Sequence, residues 1–291
     1  MSESPKIKLI RSYEGKNVAD AYAKYRPSYP KAVTDRIIGY LRNKMGMDAQ
    51  TKFERMLDVG CGCGQSTYIF ADYFKSIVGI DISEAQIEQA RKLNQYENIS
   101  YQLVHGYVFP FGDNSIDLIA SGTAAHFFDI PKFEKECERV LKPNGVCVVF
   151  SRAIYSIKPI LNDDENASTP SYPFYNFYKE FFVDINGDEG NIVAIDGNKV
   201  LFDKIQNDSK ECFKDLIYRD ENVNTLVDLK NFMTTMGEYL ILMETQKPDI
   251  DPLTVMAEKV KKLFNMEGVP DENVKLITES IIYMFVFTKR G

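Results

Sequence analysis

The sequence predicts an α/β fold: a mostly parallel sheet covered by helices, with a last strand that runs antiparallel. Three observations predict it. Short apolar runs alternate with helical patterns through the first half: Met56–Val59, Ser76–Asp81, Asn98–Val104, Ile116–Ala120 and Val146–Ser151. The last of these is apolar almost throughout, as parallel strands buried on both faces are. Met56–Val59 then runs straight into Gly60, Gly62 and Gly64, and glycines cluster between strand and helix where a ligand must come close to backbone. A final apolar run, Ile281–Phe287, fits the antiparallel edge strand of a mixed sheet.

The helices follow from periodicity and punctuation. Val18–Tyr25 reads as a short helix, and Tyr25-Arg-Pro-Ser-Tyr-Pro30 then forces an extended path, because each proline biases its predecessor away from helix. Pro30 opens a helix over Lys31–Met45, with Val33, Ile37, Ile38 and Leu41 on one face. Ser66–Phe74, Glu84–Leu93, Ile130–Val140, Leu226–Met243 and Pro252–Phe264 are the other helices. Cys212–Arg219 reads as a sixth strand. Tyr13, Tyr22, Tyr25 and Tyr29 crowd the start of the chain. They form either a lid over a pocket or a cover for the domain edge.

Composition narrows the function classes. A chain of 291 residues that is 44% hydrophobic can bury one large domain, with or without insertions. The net charge of −7 and the lack of a basic face argue against a nucleic-acid substrate. Five cysteines without framework spacing argue against a secreted disulfide scaffold. Cys61 and Cys63 have no matching pair at zinc spacing, so they read as small loop residues, and no metal is expected. The start Met-Ser-Glu-Ser-Pro has no apolar leader, and no apolar run is long enough to span a bilayer. The expectation is a cytoplasmic protein without membrane insertion, as a monomer or weak dimer.

The glycine spacing separates two ligands. A dinucleotide loop reads G-x-G-x-x-G, but position 65 is Gln; the pattern here is G-x-G-x-G, with Asp58 two residues upstream. The second strand ends on Asp81, whose carboxylate can accept from both hydroxyls of a ribose.

Taken in order, Val59-Gly-Cys-Gly-Cys-Gly64, Gly79-Ile-Asp81, Phe109-Pro-Phe111 with Asp117-Leu-Ile119, and Leu141-Lys-Pro-Asn-Gly145 resemble the successive motifs of class I S-adenosylmethionine methyltransferases. Tyr25-Arg-Pro-Ser-Tyr-Pro30 and Ala125-His-Phe-Phe-Asp129 look like the trans-aconitate methyltransferase branch, whose substrates are small acids. The resemblance implies a Rossmann-like core over 31–152, an N-terminal lid over 1–30, a helical cap insertion over 153–211, and the rest of the sheet with a further helical insertion over 212–291. It implies S-adenosyl-L-methionine as cofactor and S-adenosyl-L-homocysteine as product. The cofactor contacts it implies are Asp58, Gly60, Cys61, Gly62, Gly64, Asp81, Ile82, His105, Gly106, Tyr107, Ser121 and Arg26. The substrate contacts it implies are Tyr13, Tyr22, Tyr25, His126 and Tyr239. Two departures stand out: the family's acid after the third strand is replaced by His105-Gly-Tyr107, and the chain has no tryptophan where the branch often carries one.

The expected reaction is O-methylation of a small carboxylic acid, whose ionised group needs no base. A phenol, amine or carbon acceptor would need one, and His126 is the candidate. Arg26, Arg11 and Arg152 could bind an acidic substrate by paired hydrogen bonds. The rival reading is a cofactor-binding but inactive interaction protein.

Overall fold

A computed structural model describes residues 11–160, 171–174, 176 and 212–289. Helix α1 (Lys16–Tyr25) ends where Pro27 holds Arg26 extended, at φ −78° and ψ 129°. Helix α2 (Lys31–Met45) begins after Pro30 and stops at Gly46, which takes the left-handed conformation at φ 64°. Strand β1 (Phe53–Val59) leads through the glycine loop to β2 (Phe74–Asp81), α3 (Glu84–Leu93) and β3 (Ile99–Leu103). Then come β4 (Ile116–Gly122), α4 (Ile130–Val140) and β5 (Leu141–Pro159). A two-residue strand β6 (Tyr172–Pro173) pairs with β5. The chain closes with β7 (Cys212–Thr225), α5 (Leu226–Met233), α6 (Gly237–Thr245), α7 (Pro252–Leu263) and β8 (Lys275–Thr288).

Among the described residues the strands lie in the order β3-β2-β1-β4-β5-β8-β7. The first five are parallel, and β8 runs antiparallel to both β5 and β7. The order reverses between β1 and β4, which opens a crevice at the carboxyl ends of the strands. Alternation along β1 sends Met56 to the face covered by α2 and α3, and Leu57 and Val59 to the face covered by α4. The C-terminal helices pack a third cluster around Leu229, Met233 and Met256 onto Ile157 and Leu276. No helix among the described residues is long and apolar enough to cross a membrane.

The structure departs from sequence expectation in four places. Ser66–Phe74 is a run of turns with one 3₁₀ turn at Tyr68–Phe70, not a helix. The Ser66 and Thr67 hydroxyls are bonded back to Asp58, and the Tyr73 carbonyl already accepts from Phe53 N–H, so the chain must rejoin the sheet by then. Leu226–Met243 is two helices, because Thr234 and Thr235 bond back to carbonyls of α5 and Gly237 starts a new axis. The final strand is interior, with β7 as the edge beside it. The expected helical cap lies largely outside the described residues; 153–159 extend β5 as strand, paired along their length with β8.

Candidate functional site

The crevice contains a cavity of about 410 Å³. Its first wall grows from the ends of β1, β2 and β3. Gly60 and Cys61 both donate their N–H groups to the Ile80 carbonyl, and Gly64 N–H closes a turn on the Cys61 carbonyl. Gly60 has φ 72°, and a Cβ there would sit 2.6 Å from Ala124 Cβ. Gly64 has φ 94°, and a Cβ would overlap the Tyr101 hydroxyl. Only glycine lets the loop lie this close to its neighbours.

Two carboxylates flank the loop and do different work. Asp58 is fully buried, and its Oδ2 accepts from Ser66 Oγ and Thr67 Oγ1, both at 2.7 Å. Burial pushes its carboxyl up to about 6, against the lowering pull of those hydroxyls. It braces the loop from below. Asp81 lines the cavity; its Oδ2 accepts from Gly62 N–H and its Oδ1 from Ser83 N–H, each at 2.9 Å. Burial raises its carboxyl above the usual range, opposed by these backbone donors. Each oxygen keeps acceptor capacity for a ligand hydroxyl.

The β3 loop adds Gly106 and Tyr107 to this wall. No heavy atom lies within 4 Å of where a Cβ on Gly106 would stand, so the backbone there faces open space. Tyr107 is locked: its hydroxyl accepts from Asp129 N–H at 2.5 Å, and its ring meets Phe128 edge-on.

The other wall is assembled from distant pieces. Tyr13 accepts from Ser83 Oγ at its carbonyl and from Gly237 N–H at its hydroxyl, so it bridges the end of β2 to the start of α6. Arg26 donates from Nε to Thr235 Oγ1 at 2.7 Å and from Nη2 to the Thr235 carbonyl at 3.1 Å, and it lies over the rings of Tyr22 and Phe232. Tyr29 shares a 2.7 Å hydrogen bond with Thr123. Thr123 is β-branched yet sits at φ 53°, a costly conformation held by its N–H bond to the Phe150 carbonyl. Arg152 donates to the Ser28 carbonyl at 2.9 Å and, with Phe232, Met236 and Glu238, lines the cavity. His126 also lines it, its ring against Phe127 with centroids 4.0 Å apart. Burial pushes the phenols of Tyr13, Tyr22 and Tyr29 well up, so all three stay neutral donors or acceptors.

Residues 57–149, the segment that builds the first wall and the sheet centre, match a family model described as a methyltransferase domain. A Dictyostelium discoideum protein assigned as a methyltransferase is 30% identical over 149 residues, covering 51% of each chain. The 2-methyl-6-phytyl-1,4-hydroquinone methyltransferase of Synechocystis is 36% identical over 107 residues, covering 36% of this chain and 34% of that one. The chain thus spans about half the length of the curated relatives it matches, or less. A solved structure from Anaeromyxobacter dehalogenans, assigned as a type II methyltransferase, has the same fold at a TM-score of 0.58 and 19% identity, over 89% of this chain and 97% of that one.

The cavity gathers most of the residues singled out in the sequence. Gly60, Cys61, Gly62, Asp81, Ile82, Gly106, Tyr107, Arg26, Tyr13, Tyr22 and His126 line it. Six do not. Asp58, Gly64 and Ser121 lie behind the wall, the first and last fully buried. His105 points to solvent, and Tyr25 and Arg11 stand outside the cavity. Tyr239 packs in the C-terminal cluster and donates to Asp251 at 3.2 Å. Tyr29, read with the other N-terminal tyrosines as a possible lid, also lines the cavity, while sequence reasoning passed over Gln65, Ser83, Thr123, Phe232, Met236 and Glu238, all on the wall. Tyr29 had a signal, since it sits in the Tyr25–Pro30 motif; Phe232 and Met236 read as an ordinary apolar helix face.

Proposed function

We infer that the chain transfers a methyl group from S-adenosyl-L-methionine to a small molecule, and that the acceptor is a carboxylic acid methylated on oxygen. One observation carries the reading: a single cavity joins a glycine loop and Asp81 on one side to the N-terminal tyrosines, Arg152 of β5 and the C-terminal helices on the other. The cofactor fits the residues present. Asp81 has lone pairs left for ribose hydroxyls, Tyr107 offers a fixed ring, and the Gly62 and Gly106 backbones leave room for close approach.

When bound, the cofactor supplies a methyl group already activated on a sulfonium. The chain's own task is to place an acceptor oxygen in line with it and keep water out. Tyr13, Tyr22 and Tyr29 cover the crevice as neutral phenols, and Phe127, Phe128 and Phe232 make its lining apolar. Arg152, anchored through Ser28, presents a guanidinium to the cavity, where a carboxylate would be held in its ionised form. His126, between Phe127 and the cavity, shapes the acceptor space. The quinol methyltransferase among the relatives agrees with a small-molecule acceptor.

Calorimetric titration with S-adenosylmethionine and S-adenosylhomocysteine tests the first half. Binding of either is expected, and binding of neither would overturn the reading. Turnover of labelled cofactor with a panel of organic acids, phenols and amines tests the second. Transfer to phenols or amines alone would replace the carboxylate.

A further inference from the structure

We propose that Glu238 reads a hydrogen-bond donor on the methyl acceptor, so that the acceptor carries a hydroxyl or ammonium group on an apolar body. The inference rests on the methyltransferase reading above and adds a second recognition point to the same cavity. Glu238 is only 6% exposed, yet it lines the cavity. Its carboxylate has no hydrogen bond or ion pair among the described residues, and its one electrostatic neighbour there is the Tyr13 phenol. Arg26, the nearby cation, commits Nε and Nη2 to Thr235.

A carboxylate taken out of water is costly unless something hydrogen-bonds it. Glu238 stands in the first turn of α6, whose N-terminus favours a negative charge but leaves the carboxylate's lone pairs unfilled. Gly237, just before it, is bonded to Tyr13, so the start of the helix is pinned and Glu238 is held at the wall. Phe232 of α5 and Met236, the residue that precedes α6, line the same cavity with apolar surface. These residues come from the C-terminal helices, whereas the glycine loop and Asp81 come from the strand ends. Glu238 therefore belongs with the lining that faces the acceptor. A site that presents a buried acceptor rejects analogues lacking the matching donor far more strongly than an apolar pocket rejects a change of size.

The test uses the full chain, methyl-labelled S-adenosylmethionine and a small-metabolite extract, comparing wild type with Glu238→Gln and Glu238→Leu. S-adenosylhomocysteine affinity, measured on each variant, reports folding and the cofactor wall. The expected main product of wild type retains a free hydroxyl or amino group. Glu238→Leu should cut its labelling at least about tenfold, with S-adenosylhomocysteine affinity within about twofold. Glu238→Gln keeps an acceptor oxygen but not the charge. It should cut labelling about threefold for a hydroxyl and about tenfold or more for an ammonium. A product with no donor group, unchanged labelling in Glu238→Gln, cofactor affinity falling in step with labelling, or cofactor binding with no labelled product each overturns the proposal. Failure of wild type to bind S-adenosylhomocysteine overturns the methyltransferase reading itself.

Discussion

The two walls of the cavity are built by opposite means. One comes from consecutive residues, 58–107, and offers backbone groups and the Asp81 carboxylate. The other comes from residues far apart in the chain and is tied by side chains: Tyr13 to Gly237, Arg26 to Thr235, Tyr29 to Thr123. Backbone recognition constrains loop shape but few side chains. Side-chain recognition can be rewritten residue by residue without disturbing the first wall. On the proposed function, the contrast lets a cofactor site persist while the acceptor site diverges.

Substitutions on either wall should separate the two. Gly64→Ala strikes the loop's geometry, since its Cβ would lie 2.9 Å from Tyr101 Cζ at φ 94°. It should cost about 2–4 kcal/mol of stability in denaturant unfolding. An unchanged midpoint would mean the loop yields more easily than its packing implies.

Asp58 gives the next effect and a pH signature. Its folded carboxyl titrates near 6 and its ordinary value is 3.8. Below pH 4 it is protonated in both folded and unfolded chains. As pH rises towards 6 the unfolded chain ionises first, so the stability this group contributes falls by about 3 kcal/mol. Asp58→Asn should flatten that slope between pH 4 and 6 in chemical unfolding series. A parallel slope in the variant would clear Asp58 of it.

Asp81→Ala removes the acceptor of two loop N–H groups and, on the proposed function, of the ribose hydroxyls. It should weaken S-adenosylmethionine binding by about 1–3 kcal/mol in calorimetry, with acceptor preference unaltered. An unchanged affinity would refute the assignment.

Arg26→Lys does the reverse. It loses the two-pronged bond to Thr235 and the stacking between Tyr22 and Phe232, at about 1–2 kcal/mol. Limited proteolysis within Lys16–Tyr25 should quicken and the acceptor KM rise, while S-adenosylhomocysteine affinity moves less. An equal loss of both would show that the walls are coupled. Tyr29→Phe, which gives up one hydrogen bond to Thr123, should cost about 1 kcal/mol of stability, read from the thermal midpoint.

Legibility followed the same division. Helices Lys31–Met45, Glu84–Leu93 and Ile130–Val140 were readable to the residue, because periodicity, Pro30, the Ser83 cap and the Asp129 cap are all local signals. The glycine loop and Asp81 were readable for the same reason. Tyr239 looked like a site residue by position, yet its helix turns it into the C-terminal cluster. Ser121 sits at the right strand end but faces inward, since alternation along β4 points it away from the crevice. Glu238 and Thr235 gave no signal, because nothing in their neighbourhood says that Tyr13 and Arg26, more than 200 residues earlier, pack beside them.

The amino-acid sequence by itself determined the parallel half of the sheet, the glycine loop after β1 and the acid at the end of β2. Each depends on spacing within a few residues, and short-range backbone sterics enforce it. Tertiary structure alone decided that β8 is interior, that Leu226–Thr245 breaks in two, and which distant side chains complete the cavity. Those outcomes depend on contacts between residues far apart in sequence, such as Arg26 with Thr235, and no local pattern encodes which distant partner a side chain will meet.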